Sequence, residues 1–508
     1  MDKDKIIRWS ILLVVLFFCF TDLSLKPPHF DEGINGFFVN QIWENGFFTY
    51  DPNNYHGPLL FYLFQISEKI FGFGVTSFRI VSSLFVVLTV LFILRSRITS
   101  GRHASLFAAL ALGLSPGMIF FGRSAIHESA FVFFQVVWIV GFLKAREEMN
   151  EEGLLWFFSG FLGCILLKET FVVLGVSFLL AWSWLELSPC LLGWMNMKVD
   201  SPGRLEFSHR HGIFLLKAGF AVVVVWLAFY TAFFHHWSGA HDFFIALTPW
   251  LKTGVGGSGH DKPFYYWLQL LGRYEWVGVI AVIAACAGVF SRSWKMRFIS
   301  VLAFANGFIY SYIHYKTPWC IISILWPFVL VAAFWFEIAA SKVRIVKSPV
   351  FLLLSGITFV VMTHSAVAAY TLNLLDYTSR SEPYVYVQTS NDFKVIENII
   401  GSRLRTSPEF HDMSIVIKLD DPWPFPWFFS RFPNVKYEDY RGAVKPDGDI
   451  IFSERDSDDS NLSGLYWRRM IDLRDARAPI CVYLKKSFFE GIDLPGFSIV
   501  QGQGNKVS

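Results

Sequence analysis

Runs of about twenty apolar residues recur along most of this 508-residue chain and limit the folds open to it. A helical run of that length spans the hydrocarbon layer of a membrane, and a helix satisfies its backbone hydrogen bonds without water. About eleven runs are predicted spans: 7–25, 76–94, 104–121, 129–144, 153–167, 170–186, 213–234, 276–291, 297–313, 319–337 and 348–370. The pattern predicts a polytopic α-helical membrane protein.

The composition fits this class. Charged residues make up 17% of the chain, against about 25% in an average soluble domain. The 55 phenylalanines and 19 tryptophans suit a lipid-facing surface with aromatic belts. The net charge of +3 gives no indication of nucleic-acid binding. The six cysteines are scattered and form no C-x-x-C, so neither a disulfide framework nor a zinc site is indicated.

Basic residues are concentrated at the N-terminus and in alternate short loops, and these are predicted to be cytoplasmic. They are Lys3, Lys5, Arg8, Arg95, Arg97, Arg102, Lys144, Arg146, Arg292, Lys295, Arg297, Lys342, Arg344 and Lys347. The first apolar run lacks a clear cleavage site and is predicted to remain as a span. An odd number of spans then places the C-terminus outside.

This topology divides the chain into two predicted domains. Residues 1–370 form the membrane domain, with large outer loops at 26–75 and 235–275. Residues 371–508 are polar and form a small extracytoplasmic α/β domain. Its β-type runs are Ser414–Leu419, Asp449–Phe452 and Ile480–Leu484.

The first candidate for chemistry is the acidic pair Asp31 and Glu32, just beyond the first span. A carboxylate at the edge of a membrane can act as a general base toward an attacking hydroxyl. Adjacent residues rarely point into one site, so we expect one of the two to position the substrate or bind a metal. The alternative is that both simply stabilise the start of a helix at Gly33–Asn45.

Other candidates lie in the remaining outer loops. His56, before the Gly57-Pro58 turn, can bind substrate or orient a carboxylate, or it is only structural. Three short segments carry outer cations: Phe121–Glu128, Leu167–Thr170 and His314–Trp319. Their Arg123, Lys168 and Lys316 suit a phosphate at headgroup depth. The alternatives are snorkelling to the interface and a Lys168–Glu169 pair.

The second outer loop contains residue types that bind metals. They are His235, His236, His241, Asp242, His260 and Asp261. Their spacing fits no zinc pattern, so a divalent metal is an open alternative and no cofactor is predicted with certainty. The glycines in Gly254–Gly259 indicate a mobile substrate loop and not a P-loop, since no Gly-Lys-Ser/Thr follows.

Eight motifs follow one another along the chain: His29–Gly33, Tyr55–Pro58, Phe78–Ile80, Arg123–Glu128, Lys168-Glu169, Lys262–Tyr266, Lys316–Trp319 and Trp423–Trp427. This ordered set resembles the GT-C membrane glycosyltransferases, which include protein O-mannosyltransferases and aminoarabinose transferases of lipid A. More narrowly, it resembles the flippase-activity-associated protein family. The resemblance extends over nearly the whole chain.

The resemblance implies that Asp31 is the catalytic base, with Glu32 beside it, and that the donor is a sugar on a polyprenyl phosphate. It implies that the substrate and its phosphate are bound by outer residues: His56, Arg79, Arg123, His127, Glu128, Lys168, Glu169 and Lys316. One departure is that aminoarabinose transferases carry Glu-Lys where this chain has His56-Gly57. A lipid A-like substrate is therefore not expected.

These observations predict glycosyl transfer to an acceptor hydroxyl at the outer face of the cytoplasmic membrane. The acceptor, a lipid, glycan or protein, is not specified. One alternative is a non-catalytic transporter or flippase accessory for lipid-linked sugars, and another is a scaffold that recruits partners through the tail. The charged residues lie mostly at the ends of spans and not within them, which favours the enzyme over the transporter.

Overall fold

A computed structural model describes residues 3–96, 101–148, 150–202, 209–255, 260–342, 349–474 and 479–500. The chain forms two compact units. The first comprises Met1–Leu23 and Asn45–Asp376, and the second comprises Ser24–Glu44 and Tyr377–Ser508. The second unit thus combines the tail with a short segment that contains the acidic pair.

Helices dominate the first unit, as the apolar runs predict. In chain order they are α1 Lys3–Phe20, α3 Leu59–Phe71, α4 Val75–Ser96, α5 Arg102–Gly113, α6 Pro116–Gly122, α7 Glu128–Glu148, α8 Glu151–Leu167, α9 Phe171–Trp194, α10 His209–Tyr230, α11 Ser238–Val255, α12 Tyr266–Tyr274, α13 Trp276–Gly288, α14 Trp294–Tyr312, α15 Ile321–Lys342 and α16 Pro349–Tyr370. Helix α2, Phe30–Asn45, belongs almost wholly to the second unit.

The helices support a multi-pass membrane protein. Each predicted span contains a helix. Among the described residues, six helices are long and apolar enough to cross a membrane, namely α4, α7, α9, α10, α15 and α16. The bent pair α5–α6 makes a seventh if it is one span. The count of eleven spans, which includes the shorter α8 and α13, stays a prediction.

The bend between α5 and α6 is 57° and has a clear local cause. Ser115 caps α6, where its hydroxyl accepts a hydrogen bond from the backbone N–H of Met118 at 3.1 Å, and Pro116 begins the helix. The buried carboxylate of Glu275 accepts from the Ser115 hydroxyl at 3.0 Å and from the Gly117 N–H at 2.7 Å. These contacts fix the start of α6, which leads directly into the segment that contains Arg123.

The second unit contains a mixed six-stranded sheet with the order β2-β1-β3-β5-β4-β6. Its strands are β1 Ile415–Lys418, β2 Val435–Tyr437, β3 Ile450–Glu454, β4 Tyr466–Ile471, β5 Ile480–Lys485 and β6 Ser498–Ile499. Strands β1, β2 and β3 run parallel, and the other pairs are antiparallel. Helix α17, Asp392–Thr406, packs Phe393 and Ile396 into a core with Ile417 and Phe452.

The three predicted β runs correspond to β1, β3 and β5, so the small C-terminal sheet is confirmed. These strands are central, and nearly all of their residues are buried. Strands β2, β4 and β6 were not predicted. Their residues are largely exposed or half-buried, so they lack the continuous apolar run that marks a buried strand.

Candidate active site

The acidic pair lies in the first turn of α2, which begins at Phe30 and not at Gly33. His29 occupies the N-cap position immediately before the helix. The carboxylate of Glu32 accepts a hydrogen bond from the backbone N–H of His29 at 2.7 Å. The backbone N–H of Asp31 donates to Nδ1 of His29 at 3.1 Å. Together these contacts form a reciprocal cap of the capping-box type, with histidine in the place usually taken by serine or threonine.

The two adjacent carboxylates therefore differ in environment. Glu32 is fully buried and its carboxylate serves the cap. Asp31 is half-buried, and its carboxylate has no hydrogen-bond or ion-pair partner among the described residues. Its charge also reaches the Tyr386 phenol, whose pKa is raised by burial and then by Asp31. Of the pair, Asp31 is the one whose carboxylate is partly exposed and without a partner among the described residues.

In the first unit, the structure brings three predicted segments together in a polar cluster. Lys168 forms a buried ion pair with Glu128, and Nδ1 of His56 lies 3.1 Å from the carboxylate of Glu169. The pairing thus differs from the Lys168–Glu169 alternative suggested by their adjacency. Burial alone would lower the pKa of Lys168, but Glu128 and further groups including Glu169 raise it well above its ordinary value. Lys168 is therefore charged, and its charge is already compensated.

His127 completes this polar cluster. Its ring lies 4.6 Å from the ring of His56 and 5.4 Å from that of Phe61, centroid to centroid. Its Nε2 atom is buried and has no hydrogen-bond partner in the described structure. Burial lowers the pKa of His127 well below its usual value, and the nearby charges of His56 and Lys168 act in the same direction. His127 is therefore neutral near pH 7.

Arg79 and Arg123 are buried and contact backbone carbonyls at the end of α1 and beyond it. Arg79 donates to the Leu23 carbonyl at 2.7 Å. Arg123 donates to the carbonyls of Phe18, Thr21 and Asp22 at 2.9, 2.6 and 2.9 Å. Burial, followed by the charge of Arg79, lowers the pKa of Arg123 to about 10, so it stays charged at pH 7. These contacts cap the C-terminal end of α1 and favour structural roles. Phosphate binding by the two arginines stays a prediction.

Lys316 links two segments of the first unit, residues 260–262 and residues 313–316. Its ammonium group donates to the carbonyls of Lys262, at 3.1 Å, and of Ile313. Its own backbone N–H donates to the His260 carbonyl at 3.1 Å, beside an antiparallel bridge between Asp261 and Tyr315. Burial lowers the pKa of Lys316, and Asp261 opposes that shift. Both partners of the ammonium group are neutral, so its charge is less compensated than that of Lys168.

Among the described residues of 235–275, the histidines do not converge on one point. His235 stacks on Phe47, with ring centroids 5.0 Å apart. Nε2 of His236 lies 2.7 Å from the Ser238 hydroxyl. Within the described residues, no group of three or more His, Cys, Asp or Glu side chains is arranged to hold a metal ion. Residues 256–259 of the glycine-rich segment lie outside the described part of the chain, as do Arg97, Arg344 and Lys347.

Sequence reasoning assigned no role to His29 or Tyr386. A signal for His29 was present, because a glutamate three residues after a potential N-cap is the spacing of a capping box. No local signal points to Tyr386, whose carbonyl lies 2.8 Å from Nε2 of His29 although 357 positions separate the two residues.

Residues 55–196 match the family model described as dolichyl-phosphate-mannose-protein mannosyltransferase. This match includes the polar cluster but neither Asp31 nor Lys316. The whole chain resembles the crystal structure of ArnT from Cupriavidus metallidurans bound to undecaprenyl phosphate. The TM-score is 0.60 at 14% identity, over 95% of this chain and 98% of that one. The chain has the GT-C fold.

Two further structures agree with this GT-C fold. The apo state of the same ArnT gives a TM-score of 0.58 at 13% identity, over 95% of this chain and 98% of that one. The apo oligosaccharyltransferase of Archaeoglobus fulgidus gives 0.56 at 10% identity, over 92% of this chain and 73% of that one. No curated protein sequence matches the chain significantly. At these identities the comparisons establish the fold, and the reaction is argued from the residues.

Proposed function

We propose that this GT-C protein transfers a sugar from a polyprenyl-phosphate donor to an acceptor hydroxyl at the outer face of the cytoplasmic membrane. The observation that carries the proposal is the open carboxylate of Asp31, beside a Glu32 committed to the helix cap. A general base needs an ionisable group that its own protein leaves accessible. The undecaprenyl phosphate bound to ArnT supports the class of donor.

In the proposed reaction, Asp31 accepts the proton of the acceptor hydroxyl as its oxygen attacks the anomeric carbon of the sugar. The bond between that carbon and the phosphate oxygen breaks, and polyprenyl phosphate leaves with the electron pair. The leaving group is already a phosphate ester, so no nucleotide is needed. Glu32 acts indirectly, because it holds the helix start from which Asp31 projects.

Of the predicted cations, we propose Lys316 as the first phosphate contact to test. The guanidinium groups of Arg79 and Arg123 donate to carbonyls, and Lys168 is paired with a carboxylate. Lys316 has two carbonyl partners for three ammonium hydrogens and keeps more of its charge uncompensated. An ammonium group with a remaining donor can stabilise the charge that develops on a leaving phosphate.

The polar cluster of His56, His127, Glu128, Lys168 and Glu169 is proposed to bind hydroxyl groups of a substrate. The cluster contains two carboxylates, Glu128 and Glu169, and one ammonium group, that of Lys168. Because its positive charge is already compensated, it suits a neutral polar ligand better than an anion such as phosphate. The partly exposed ring of His56, with 27% of its side-chain surface accessible, is its most open member.

Asp31→Asn tests the proposal directly. Asparagine is nearly isosteric but takes up no proton, so turnover should fall about 10²–10⁴-fold. The assay follows release of free polyprenyl phosphate by the full-length protein in nanodiscs, with the polyprenyl-phosphate-sugar fraction extracted from host membranes as donor. The matched control is Glu32→Gln, whose amide oxygen can still accept the His29 hydrogen bond and should keep substantial turnover. Near-normal turnover of Asp31→Asn would refute the role of Asp31 as base.

One observation favours a second candidate, a transporter of lipid-linked sugars. Glu275 is a buried carboxylate at the break between two short helices, a location that transporters use for ion and proton binding. A structural role explains the burial of Glu275 equally well, because its carboxylate caps the start of α6 through Ser115 and Gly117. A transporter would move labelled lipid across the bilayer of reconstituted proteoliposomes with Asp31→Asn as fast as with the wild type, and would release no polyprenyl phosphate.

A further inference from the structure

The imidazole of His29 is held from two sides, with a different role for each nitrogen. Its Nδ1 receives the backbone N–H of Asp31 at 3.1 Å, and its Nε2 lies 2.8 Å from the Tyr386 carbonyl. A backbone N–H only donates and a carbonyl only accepts. Nδ1 is therefore the acceptor and Nε2 the donor. The side chain is buried, so water does not replace either partner readily.

The contact with Asp31 fixes the backbone from which the proposed base projects. In an ordinary N-cap, the side chain of Ser, Thr, Asp or Asn accepts one of the unpaired N–H groups of the first turn. Nδ1 of His29 does this for the second residue of α2, which is Asp31 itself. Unlike those shorter side chains, histidine has a second nitrogen that reaches a distant segment of the chain.

The distant segment is itself tied to the start of α2. His29 and Gln388 form an antiparallel bridge, and the Gln388 side-chain amide donates to the Pro27 carbonyl at 2.8 Å. The Arg474 guanidinium lies over the ring of Phe30 at 4.5 Å and donates to the Trp423 carbonyl at 2.8 Å. Residues of the tail thus contact the chain both before His29, at Pro27, and after it, at Phe30. All of these contacts lie within the second unit.

The close packing of α2 against the tail also fixes the position of the helix. A Cβ atom at Gly33 would lie 2.8 Å from Cβ of Pro424, and one at Gly36 would lie 2.4 Å from the indole of Trp427. Both distances are below those that real Cβ atoms adopt. Glycine at these positions lets the helix backbone lie directly against the Trp423–Trp427 segment. The helix that carries Asp31 is consequently seated on the tail along its first two turns.

We propose that His29 is a positioning residue for Asp31, and that the Tyr386 carbonyl of the tail orients it. The inference rests on the proposed function of Asp31. His29 touches no substrate in this scheme. It transmits the position of the Tyr386 segment to the backbone of the proposed base, so that this segment, and not the tail sheet, takes part in positioning Asp31.

Three substitutions separate the two contacts of His29. In His29→Asn, Oδ1 can take the place of Nδ1 and keep the cap, but the side chain is too short to reach Tyr386. His29→Gln offers a donor near the position of Nε2 but removes the Nδ1 acceptor. His29→Ala removes both. Misplacement of a catalytic group by about 1 Å can cost about a hundredfold in rate. We therefore expect kcat to fall about a hundredfold in His29→Ala and His29→Gln, and about three- to tenfold in His29→Asn, with donor KM unchanged.

The control for general loss of stability is Val482→Ala, which opens the core of the tail sheet without touching α2. It should lower the thermal unfolding midpoint and leave kcat near that of the wild type. All variants are assayed in the full chain in nanodiscs by polyprenyl phosphate release, with unfolding midpoints measured in parallel. If His29→Ala does not accumulate, the comparison of His29→Asn with His29→Gln provides the same test.

The outcomes distinguish this inference from the proposed function. An inactive Asp31→Asn beside a His29→Ala of normal kcat would overturn the positioning role alone. A kcat that falls equally in Val482→Ala and His29→Ala, in step with their unfolding midpoints, would also overturn it. Full activity of His29→Asn would remove the Tyr386 carbonyl from the mechanism. An active Asp31→Asn would refute the proposed function itself.

Discussion

A buried cation binds a phosphate more strongly when fewer neighbouring groups already compensate the charge of the cation. Lys316 and Lys168 are both buried lysines. Lys168 directly follows α8, and Lys316 lies in the segment between α14 and α15. Lys168 lies against a carboxylate, whereas the ammonium group of Lys316 contacts neutral carbonyls. The two residues should therefore respond to the same substitution in different ways.

Lys316→Ala should weaken donor binding. Loss of a hydrogen bond to a charged group costs about 1.5–3 kcal/mol, which corresponds to a roughly ten- to hundredfold lower affinity. The measurement is binding of undecaprenyl phosphate to the purified protein, with thermal stability in parallel. Lys316→Arg, which retains the charge, is the matched control and should bind more tightly than the alanine variant. Wild-type affinity in Lys316→Ala would show that Lys316 only joins residues 260–262 to residues 313–316.

Lys168→Ala should act chiefly on stability. Removal of one partner of a buried ion pair leaves the other charge unpaired and costs about 3–5 kcal/mol. The double variant Lys168→Met/Glu128→Leu should be more stable than Lys168→Ala, because it leaves no isolated charge. Unfolding midpoints in detergent check this order. Equal stability of the wild type and Lys168→Ala would contradict the pairing.

The sequence located these residues but could not assign their partners. Asp31 and Glu32 are equivalent in a sequence, and only the start of α2 at Phe30 makes Glu32 the third residue of the helix and a cap. Lys168 precedes Glu169, yet its partner is Glu128, 40 positions away. Such pairings depend on which helix ends meet, and hydrophobic periodicity does not encode that.

At the scale of single elements, the turn Tyr55–Pro58 lies directly against the end of α8. The backbone N–H of Gly57 donates to the Leu167 carbonyl at 3.0 Å. A Cβ atom at Gly57 would lie 2.2 Å from the Leu166 carbonyl oxygen. This close approach of two backbones brings His56 to Glu169 and explains why glycine occupies the position.

Gly57→Ala should therefore separate the turn from α8. Two backbone segments would have to move apart, and overpacking of this kind typically costs about 1–3 kcal/mol. Gly272→Ala is the control, since no atom lies within 4 Å of the added Cβ and α12 should gain slightly from alanine. Unfolding midpoints and donor KM are compared in both. A Gly57→Ala variant with wild-type values would contradict the close approach.

Fold class was the most predictable property, because about twenty apolar residues per span is a strong and local signal. The central strands of the tail sheet were predictable for the same reason. The membership of residues 24–44 in the second unit was not predictable. It depends on contacts such as His29 with Gln388, between segments that the whole membrane domain separates in the sequence.

For the molecule as a whole, the distribution of basic residues predicts that the tail lies outside the cell membrane. Alkaline phosphatase fused after Tyr370 should therefore be active, and the same enzyme fused after Lys342 should be inactive. Both fusions are expressed to equal levels, confirmed by immunoblotting, before activities are compared. The reverse pattern of activities would overturn the predicted topology.

The seating of α2 on the tail also has a consequence for biosynthesis. A ribosome makes residues 24–44 first and must then make residues 45–376 before the segment that contains His29's partner, Tyr386, is available. Until then the start of α2 can form its cap with Glu32 but lacks the contacts with the tail. A nascent or truncated chain can insert its spans and still lack a correctly placed base. Under the proposed function, transfer of sugar should begin only after the tail has been completed and folded.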